Sequence, residues 1–506
     1  MNQLKDSIED KCGILGIHTV KPTLNLPLAL LAAAGLQHRG QHGAGIAMQT
    51  ENGLKRFTGT GLLKDAFTKD VIEKFTHPSF WTMVHLRYGT SGDYIDHNLQ
   101  PIQAKAPNGN IVSVIHNGEF PACDKMKNFI KDISIPEGAS DTYLFTNLLA
   151  QSQGDNWDEK ICSAVDKVTG AFSLIIGVNN SLYALRDRWG IRPLIMGRLN
   201  GGWVFASETH SLSKINVKAI RRLKRGEIVK VDENGLSTIR NGTAKPGNFC
   251  DFEWAYFSRP NSEAPTREND NDLDYPAQWI SFSLFRKRCG EALAKEMPIT
   301  NASFVVGVPD SGVALATGYA YELRLPYAQV ILRDHFDPYG LQRLFMRDDK
   351  IETISQKVLG KLSLVPDPQV WKDAIVVIGD DSIVRGNVSK KLTQAIFKLG
   401  AKEVHWMVGF PPVAYPCHLG VSMRTRDELI AAQFDSNPKK IARAIGATSV
   451  NYISPEGFIQ SRKASSKLIK PENPKEIFLA NGGCAGCITG LYPILKDGSE
   501  YPRYTT

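Results

Sequence analysis

No stretch of this sequence is apolar for long enough to cross a bilayer. The best candidate, Leu28–Leu36, falls far short of the roughly 20 residues a membrane helix needs and reads instead as a buried helix. The opening segment Met1–Lys11 is charged and has no apolar core, which argues against a secretory signal. Runs of Lys and Arg are missing, as are RNA-binding signatures and any regular repeat. A net charge of +8 spread over 506 residues suits phosphorylated small molecules and gives no argument for nucleic acid. Cysteine is sparse, with single residues at 12, 123, 162, 250, 289, 417, 484 and 487. The expected location is cytoplasmic, where disulfides are rare, so clustered cysteines point to metal ligands or nucleophiles.

What is present divides into two patterns. A chain of 506 residues exceeds what one hydrophobic core supports, so two or more domains are expected. From 12 to about 245, short apolar runs such as Ile111–Ile115, Phe172–Val178 and Trp203–Ala206 alternate with Gly, Asn and Asp and predict strands. Helices are expected near Leu28–Gly35, with Pro27 just inside its start, and over Asp141–Ala150, capped by Ser140. Asn261–Asp274 reads as a linker or exposed crossover. Beyond Trp279, helix-like Phe282–Glu296, strand-like Phe304–Val308, helix-like Ala314–Glu322, strand-like Ala374–Ile378, helix-like Ser389–Leu399 and strand-like Val404–Val408 alternate. That alternation predicts a parallel α/β sheet, which binds ligands at the carboxyl ends of its strands. The last fifty or so residues look loop-like and hold one cysteine pair.

Cys12 opens the apolar segment Cys12-Gly-Ile-Leu-Gly-Ile. Alone, an early cysteine reads as a buried small hydrophobe, Arg87 as a surface ion-pair member, and Asn117-Gly118 as a hairpin turn. Four segments weigh against those readings: Gln37-His-Arg-Gly-Gln-His-Gly-Ala-Gly45, His85-Leu-Arg-Tyr-Gly-Thr-Ser-Gly92, His116-Asn-Gly-Glu119 and Ser140-Asp-Thr142. In order and spacing they resemble the class II glutamine amidotransferases, which are N-terminal nucleophile hydrolases. The resemblance implies a four-layer α/β/β/α domain over 12–249, preceded by a propeptide, 1–11, whose removal makes Cys12 amino-terminal. A cysteine thiol titrates near 8.5 and an α-amine near 8, so the amine can take the thiol proton and the thiolate can attack a carboxamide. By the same resemblance Arg87 grips the glutamine carboxylate, Asp141 holds its ammonium, and Asn117 with the Gly118 amide forms the oxyanion hole. Glu119 departs from the family, which has a small polar residue there.

In the second half, Val376-Val-Ile-Gly-Asp-Asp-Ser-Ile-Val-Arg-Gly-Asn-Val-Ser389 resembles the phosphoribosyltransferase loop of the amidophosphoribosyltransferase family. Arg186-Asp-Arg-Trp-Gly-Ile-Arg-Pro193, Phe205-Ala-Ser-Glu-Thr209, Tyr256-Phe-Ser-Arg-Pro-Asn-Ser262, Val306-Gly-Val-Pro-Asp-Ser311 and Tyr415-Pro-Cys417 carry the resemblance nearly end to end. It implies a type I phosphoribosyltransferase domain over 250–460, with Asp380 and Asp381 on the ribose and magnesium, Ser311 near the metal, and Arg385, Gly386, Asn387 and Ser389 around the 5-phosphate. Amides leading into a helix start suit that phosphate, and carboxylates suit magnesium. The chain departs from the family at Asn387 and Val388, where two threonines are usual. It departs again over Arg333–Phe345 and Val358–Ser363, where Asp334 and Asp337 stand and basic residues are fewer. Arg333, Arg343, Arg347, Lys357 and Lys361 are the cations left to replace them. Because of these departures two other readings stay open: ammonia delivery to a different phosphorylated acceptor, and a transferase-inactive regulatory homologue.

Cys484-Ala-Gly-Cys487 on its own fits zinc, a redox pair or neither. The resemblance places Cys250 and Cys417 with it as the four ligands of a [4Fe–4S] cluster that staples the tail, 461–506, to the body. The expectation is therefore an enzyme that joins glutamine hydrolysis to phosphoribosyl pyrophosphate, with magnesium and a [4Fe–4S] cluster as cofactors. No nucleic-acid or membrane partner is expected, and the family implies a homo-oligomer, tetramer or dimer.

Overall fold

The computed structural model describes residues 12–88, 96–243, 247–265, 279–333, 362–421, 423, 425–462 and 467–501. Met1–Lys11, the Gly89–Gly92 part of one motif, and the Asp334–Lys361 stretch with Arg343, Arg347 and Lys357 lie outside them.

The first half is two antiparallel sheets laid face to face. One runs in the order Ala219–Arg222, Ile195–Leu199, Gly202–Ala206, Gly13–Thr23, Ser79–Arg87, Gly43–Thr50, Gly53–Thr60. The other runs Gly235–Arg240, Ile228–Asp232, Ser181–Arg186, Ala171–Val178, Ile111–Glu119, Ile102–Lys105. Side chains alternate across a strand, so Ile14 faces the second sheet while Leu15 and Ile17 face outward. Ile14, Trp81, Met83, Ile115, Ile175 and Phe205 form the layer between the sheets. Leu15 and Ile17 pack beneath the helix Leu26–Ala34, and Val112, Val114 and Leu174 beneath Asp141–Ala150. Helices thus cover both outer faces, giving the four layers α/β/β/α. Gly16 sits where the sheets approach closely: a Cβ there would stand 2.9 Å from Ile175. The first helix is not wholly buried as its composition suggested, since Leu31 is 48% exposed.

The second half is a parallel sheet in the order Phe304–Gly307, Ile375–Asp380, Glu403–Val408, Ser449–Tyr452. Helices Phe282–Glu296, Gly312–Leu323, Asn387–Lys398 and Pro438–Ile445 flank it, and a separate apolar cluster lies on each side. Ser281 caps the first of these by accepting the Leu284 amide at 3.1 Å. The central strand ends at Asp380, which puts Asp380 and Asp381 at the sheet's carboxyl edge. Glu263–Pro265 pairs with Trp279–Ser281 where a linker was expected, and the residues between lie outside the description.

The tail is more regular than its composition suggested. Helix Pro455–Arg462 packs on Phe282–Glu296, and Gly483–Cys484 forms a parallel ladder with Phe249–Cys250. Among the described residues no helix is long and apolar enough to cross a membrane.

Candidate active sites

Strand pairing builds the first site. Gly13 lies opposite Leu86 and Ile14 opposite His85, so the next step of the ladder brings Cys12 beside Arg87. Cys12 is buried and its backbone is left-handed, φ 51°. Arg87, also buried, donates from Nη1 to the carbonyl of Asn98. The Asn98 side chain in turn accepts the Ser140 amide at 2.7 Å and donates to the Gly138 carbonyl at 2.8 Å. That fixes the start of helix Asp141–Ala150, where Ser140 accepts the Tyr143 amide. Asp141 accepts the amides of Phe120 at 3.1 Å and Thr142 at 2.7 Å, and stands 3.8 Å from His116. These contacts tie Asp141 to the end of the Ile111–Glu119 strand, which packs against Gly13–Thr23 across the sandwich.

Asn117 is fully buried, and neither its amide nitrogen nor its oxygen has a partner among the described residues. An unsatisfied buried donor costs about 1–3 kcal/mol, a cost the fold carries at this position. Gly118 has φ 147°, and a Cβ there would lie 1.9 Å from the Ala171 carbonyl, so only glycine fits. His85, buried between Arg87 and His116, has its pKa pushed down to about 3, first by burial and then by those two charges. It is neutral in any ordinary buffer.

The second site is a cavity of about 520 Å³ between the two halves. The acidic pair, Ser311 and the loop Ser382–Ser389 line one side, and His38, Gln41 and Tyr88 of the glutamine-type half line the other. The Asp381 carboxylate accepts the Ser311 hydroxyl, and the Ser382 hydroxyl at 2.7 Å. Burial and then the neighbouring charge raise Asp380 well above the usual carboxylate range. Burial also raises Asp381, against the pull of those hydroxyls and of Arg286. Gly386, φ 79°, turns the chain into helix Asn387–Lys398, so the amides of Asn387, Val388 and Ser389 stand in its first turn, facing the cavity loop. Arg385 lines the cavity but is paired with Glu428. Arg333 is paired with Asp310 at the cavity mouth.

Carboxylates with depressed proton release, crowded at a strand end with a hydroxyl beside them, form a hard-oxygen donor set that suits magnesium. The four thiols also fit a shared group. The Phe249–Cys250 and Gly483–Cys484 ladder sets Cys250 opposite Cys484, and the Cys487 carbonyl accepts the amides of Ala414 and Tyr415, both at 3.0 Å. Cys417 Sγ accepts the Leu419 amide at 3.4 Å. Burial pushes Cys250 up to about 12, and burial plus the other thiols' charges also push Cys484 and Cys487 well above the usual thiol range. Among the described residues no three His, Cys, Asp or Glu crowd closely enough to hold a single metal ion. The donors at this place in the fold are thiols, the ligand type that both zinc and iron–sulfur groups take.

A buried polar seam between the halves was not read from the sequence, although its residues stand inside quoted motifs. Arg39 donates to Glu208 at 2.5 Å and to Glu253 at 2.5 Å, and Arg192 reaches Glu253 at 3.4 Å. Glu208 also accepts the Ser262 hydroxyl at 2.6 Å and the Arg259 amide at 3.0 Å, and against its burial His38 and Arg39 hold its carboxyl well below the usual carboxylate pKa range. Motif order could have suggested these partners, but pairing across some 200 residues leaves no local signal.

A four-layer N-terminal nucleophile hydrolase fold joined to a type I phosphoribosyltransferase sheet defines a two-domain glutamine amidotransferase. Comparisons with known proteins agree. The glutamine amidotransferase domain family matches residues 85–214. Amidophosphoribosyltransferase 3, chloroplastic, of Arabidopsis thaliana is 35% identical over 498 residues, 98% of this chain and 86% of that protein. The amidophosphoribosyltransferase of Methanocaldococcus jannaschii is 31% identical over 500 residues, 95% of this chain and 97% of that one. The solved glutamine phosphoribosylpyrophosphate amidotransferase from B. subtilis, complexed with ADP and GMP, aligns with a TM-score of 0.81 at 28% identity, covering 98% of this chain and 100% of that one. The chain belongs to the amidophosphoribosyltransferase family.

Proposed function

We propose that this enzyme makes phosphoribosylamine from glutamine and phosphoribosyl pyrophosphate, the opening step of purine synthesis. The observation that carries the reading is the cavity shared by the two halves: residues of the glutamine-type half form a wall of the chamber holding the acidic pair and the helix start. On this reading ammonia released at Cys12 is delivered to an acceptor in that chamber.

On this reading 1–11 is a propeptide, 12–249 the glutamine domain, 250–460 the transferase domain and 461–506 the tail. Removal of Met1–Lys11 frees the Cys12 amine, which takes the thiol proton. The thiolate adds to the glutamine carboxamide carbon, and the unpartnered Asn117 amide with the Gly118 N–H receives the oxygen's charge. The Cys12 ammonium returns its proton to the departing nitrogen, so ammonia leaves as the thioester forms, and water then adds to the thioester to release glutamate and the thiol. Arg87 and Asp141 orient the amino acid through its carboxylate and ammonium. In the second chamber the ammonia lone pair attacks C1 of the sugar as pyrophosphate departs. Asp380 and Asp381 hold the ribose hydroxyls, while Gly386, Asn387 and Ser389 with the neighbouring amides hold the 5-phosphate, and Arg385 stays tied to Glu428. Magnesium, for which Asp380, Asp381 and Ser311 are the donors, supplies charge neutralisation on the leaving group.

The loss of two hydroxyl donors at Asn387 and Val388 and the pairing of Arg333 and Arg385 with carboxylates support a weaker grip on pyrophosphate than the family norm. Cys250, Cys417, Cys484 and Cys487 are the thiols for a [4Fe–4S] cluster, which serves to staple the tail, and such a cluster belongs in a reducing, cytoplasmic setting. A homo-oligomer is part of the same reading. The test is glutamate release by processed, anaerobically purified protein with and without magnesium phosphoribosyl pyrophosphate. Strong stimulation, with phosphoribosylamine formed, supports the reading. Glutaminase indifferent to the sugar, with no amine product, sinks it.

A further inference from the structure

Arg286 stands on helix Phe282–Glu296 and is 3% exposed, yet its side chain lines the cavity. Nε donates to the carbonyl of Trp254 at 3.2 Å, and Nη2 donates to those of Tyr256 at 3.0 Å and Ser258 at 2.6 Å. Nη1 has no hydrogen-bond partner among the described residues. The carboxylate whose charge acts most strongly on this guanidinium is Asp381, followed by Glu208. One rigid fork therefore grips a single turn, and its residue lines the same cavity as the acidic pair.

The turn it grips leads to Cys12. Glu253–Phe257 is a π-helical turn, a form that marks functional sites more often than chance. At its end the Ser258 hydroxyl donates to Glu253 at 2.9 Å and accepts from Arg39 at 3.3 Å, and the Arg259 amide donates to Glu208. Arg39 lies against the nucleophile's strand, because a Cβ on Gly13 would stand 3.6 Å from the Arg39 Cβ. Hydrogen bonds thus run from Arg286 to Ser258 and from Ser258 to Arg39, whose side chain lies next to Gly13.

We propose that Arg286 is the positioning residue that makes glutamine hydrolysis at Cys12 depend on an occupied acceptor site. The inference rests on the function proposed above. An acceptor and its cation draw the Asp381 charge away from Arg286, the fork resettles on its carbonyls, and the π-turn passes the shift to Arg39. Coupling of this kind requires two arrangements of a connecting element, and the π-turn is that element.

The experiment compares wild type with Arg286→Lys, which keeps the charge but not the fork, and Arg286→Gln, which keeps neither. Each is assayed for basal glutaminase, for stimulation by magnesium phosphoribosyl pyrophosphate, and for amine formation from free ammonia. We expect wild-type stimulation of about tenfold or more, cut to about twofold or less in both variants with basal glutaminase unchanged. Arg286→Lys should keep the wild-type KM for the sugar in the ammonia reaction, separating coupling from binding. Full stimulation in either folded variant overturns the inference, and so does a parallel fall in basal and stimulated rates. Should both variants misfold, amide exchange in wild type decides: protection over 253–261 must change when the sugar is added, and unchanged exchange overturns the inference. Wild type that forms no amine from ammonia overturns the acceptor reading, and this inference with it, whereas coupling retained in the variants overturns this inference alone.

Discussion

Arg39 and Glu253 form an ion pair at 2.5 Å, with both side chains sealed from solvent, across the boundary between the two sheet systems. Removing one member of such a pair leaves a buried charge unopposed, at about 3–5 kcal/mol. Glu253→Gln should therefore lose about that much stability in urea denaturation. The pair is one edge of a network, since Arg192 also reaches Glu253 and Glu208 also holds Arg39. Adding Arg39→Met to Glu253→Gln should fall short of additivity by about 0.5–3 kcal/mol while restoring little. Additive losses would mean that the two side chains stabilise the protein independently.

Asn117 invites a sharper test, because its buried amide has no partner to lose. Asn117→Ala should lower the glutaminase kcat by about 10²–10³-fold with the glutamine KM little changed, since the interaction is made only in the transition state. Thermal stability should hold or rise as an unsatisfied group disappears. A kcat within a few-fold of wild type would remove Asn117 from the proposed oxyanion hole. Gly118→Ala should instead yield little folded protein, because its Cβ collides with the Ala171 carbonyl.

Local signals in the sequence were legible. Helix Phe282–Glu296 has the expected bounds, Ser140 caps Asp141–Ala150 as expected, and the parallel sheet follows from alternating apolar runs. Those features depend on neighbours within a few residues. The second wall of the acceptor cavity does not: His38, Gln41 and Tyr88 reach it only because the halves dock. Arg286 was invisible for a similar reason, since a lone Arg in an amphipathic helix reads as solvated. Leu31 erred the other way, because composition alone cannot say which side of a mostly apolar helix faces water.

His85 gives a pH dependence with a definite sign. Its folded pKa, about 3, lies below the unfolded value near 6.5, so the unfolded chain binds the proton that the folded one refuses. The associated stability is complete above pH 6.5 and is lost as the pH falls toward 3. Acidifying from pH 6.5 to 5 should cost wild type about 2 kcal/mol more than His85→Phe, at about 1.4 kcal/mol per pH unit. Parallel stability curves for the two proteins in this window would show that His85 accepts its proton in the folded state.

The four cysteines predict what happens when the tail loses its anchor. Cys484→Ser breaks the set at the one position laddered directly to Cys250, while the Gly483–Cys484 backbone pairing can persist. Anaerobically purified wild type should contain about four irons per chain and absorb visible light, and the variant should contain almost none. Cys250, Cys484 and Cys487 are buried, and without their group they stay protonated, since burial makes their charged state unfavourable. The Arg462 to Asp251 bond at 2.6 Å, the Tyr492 hydroxyl on the Pro416 carbonyl at 2.5 Å and the surviving backbone ladder are then among the contacts that hold the tail. Limited proteolysis should cut the variant first within 467–501, at least about tenfold faster than wild type, with the two large sheets still resistant. Iron at zinc-like stoichiometry of one per chain, or equal cleavage of both proteins, would remove the cluster from this reading.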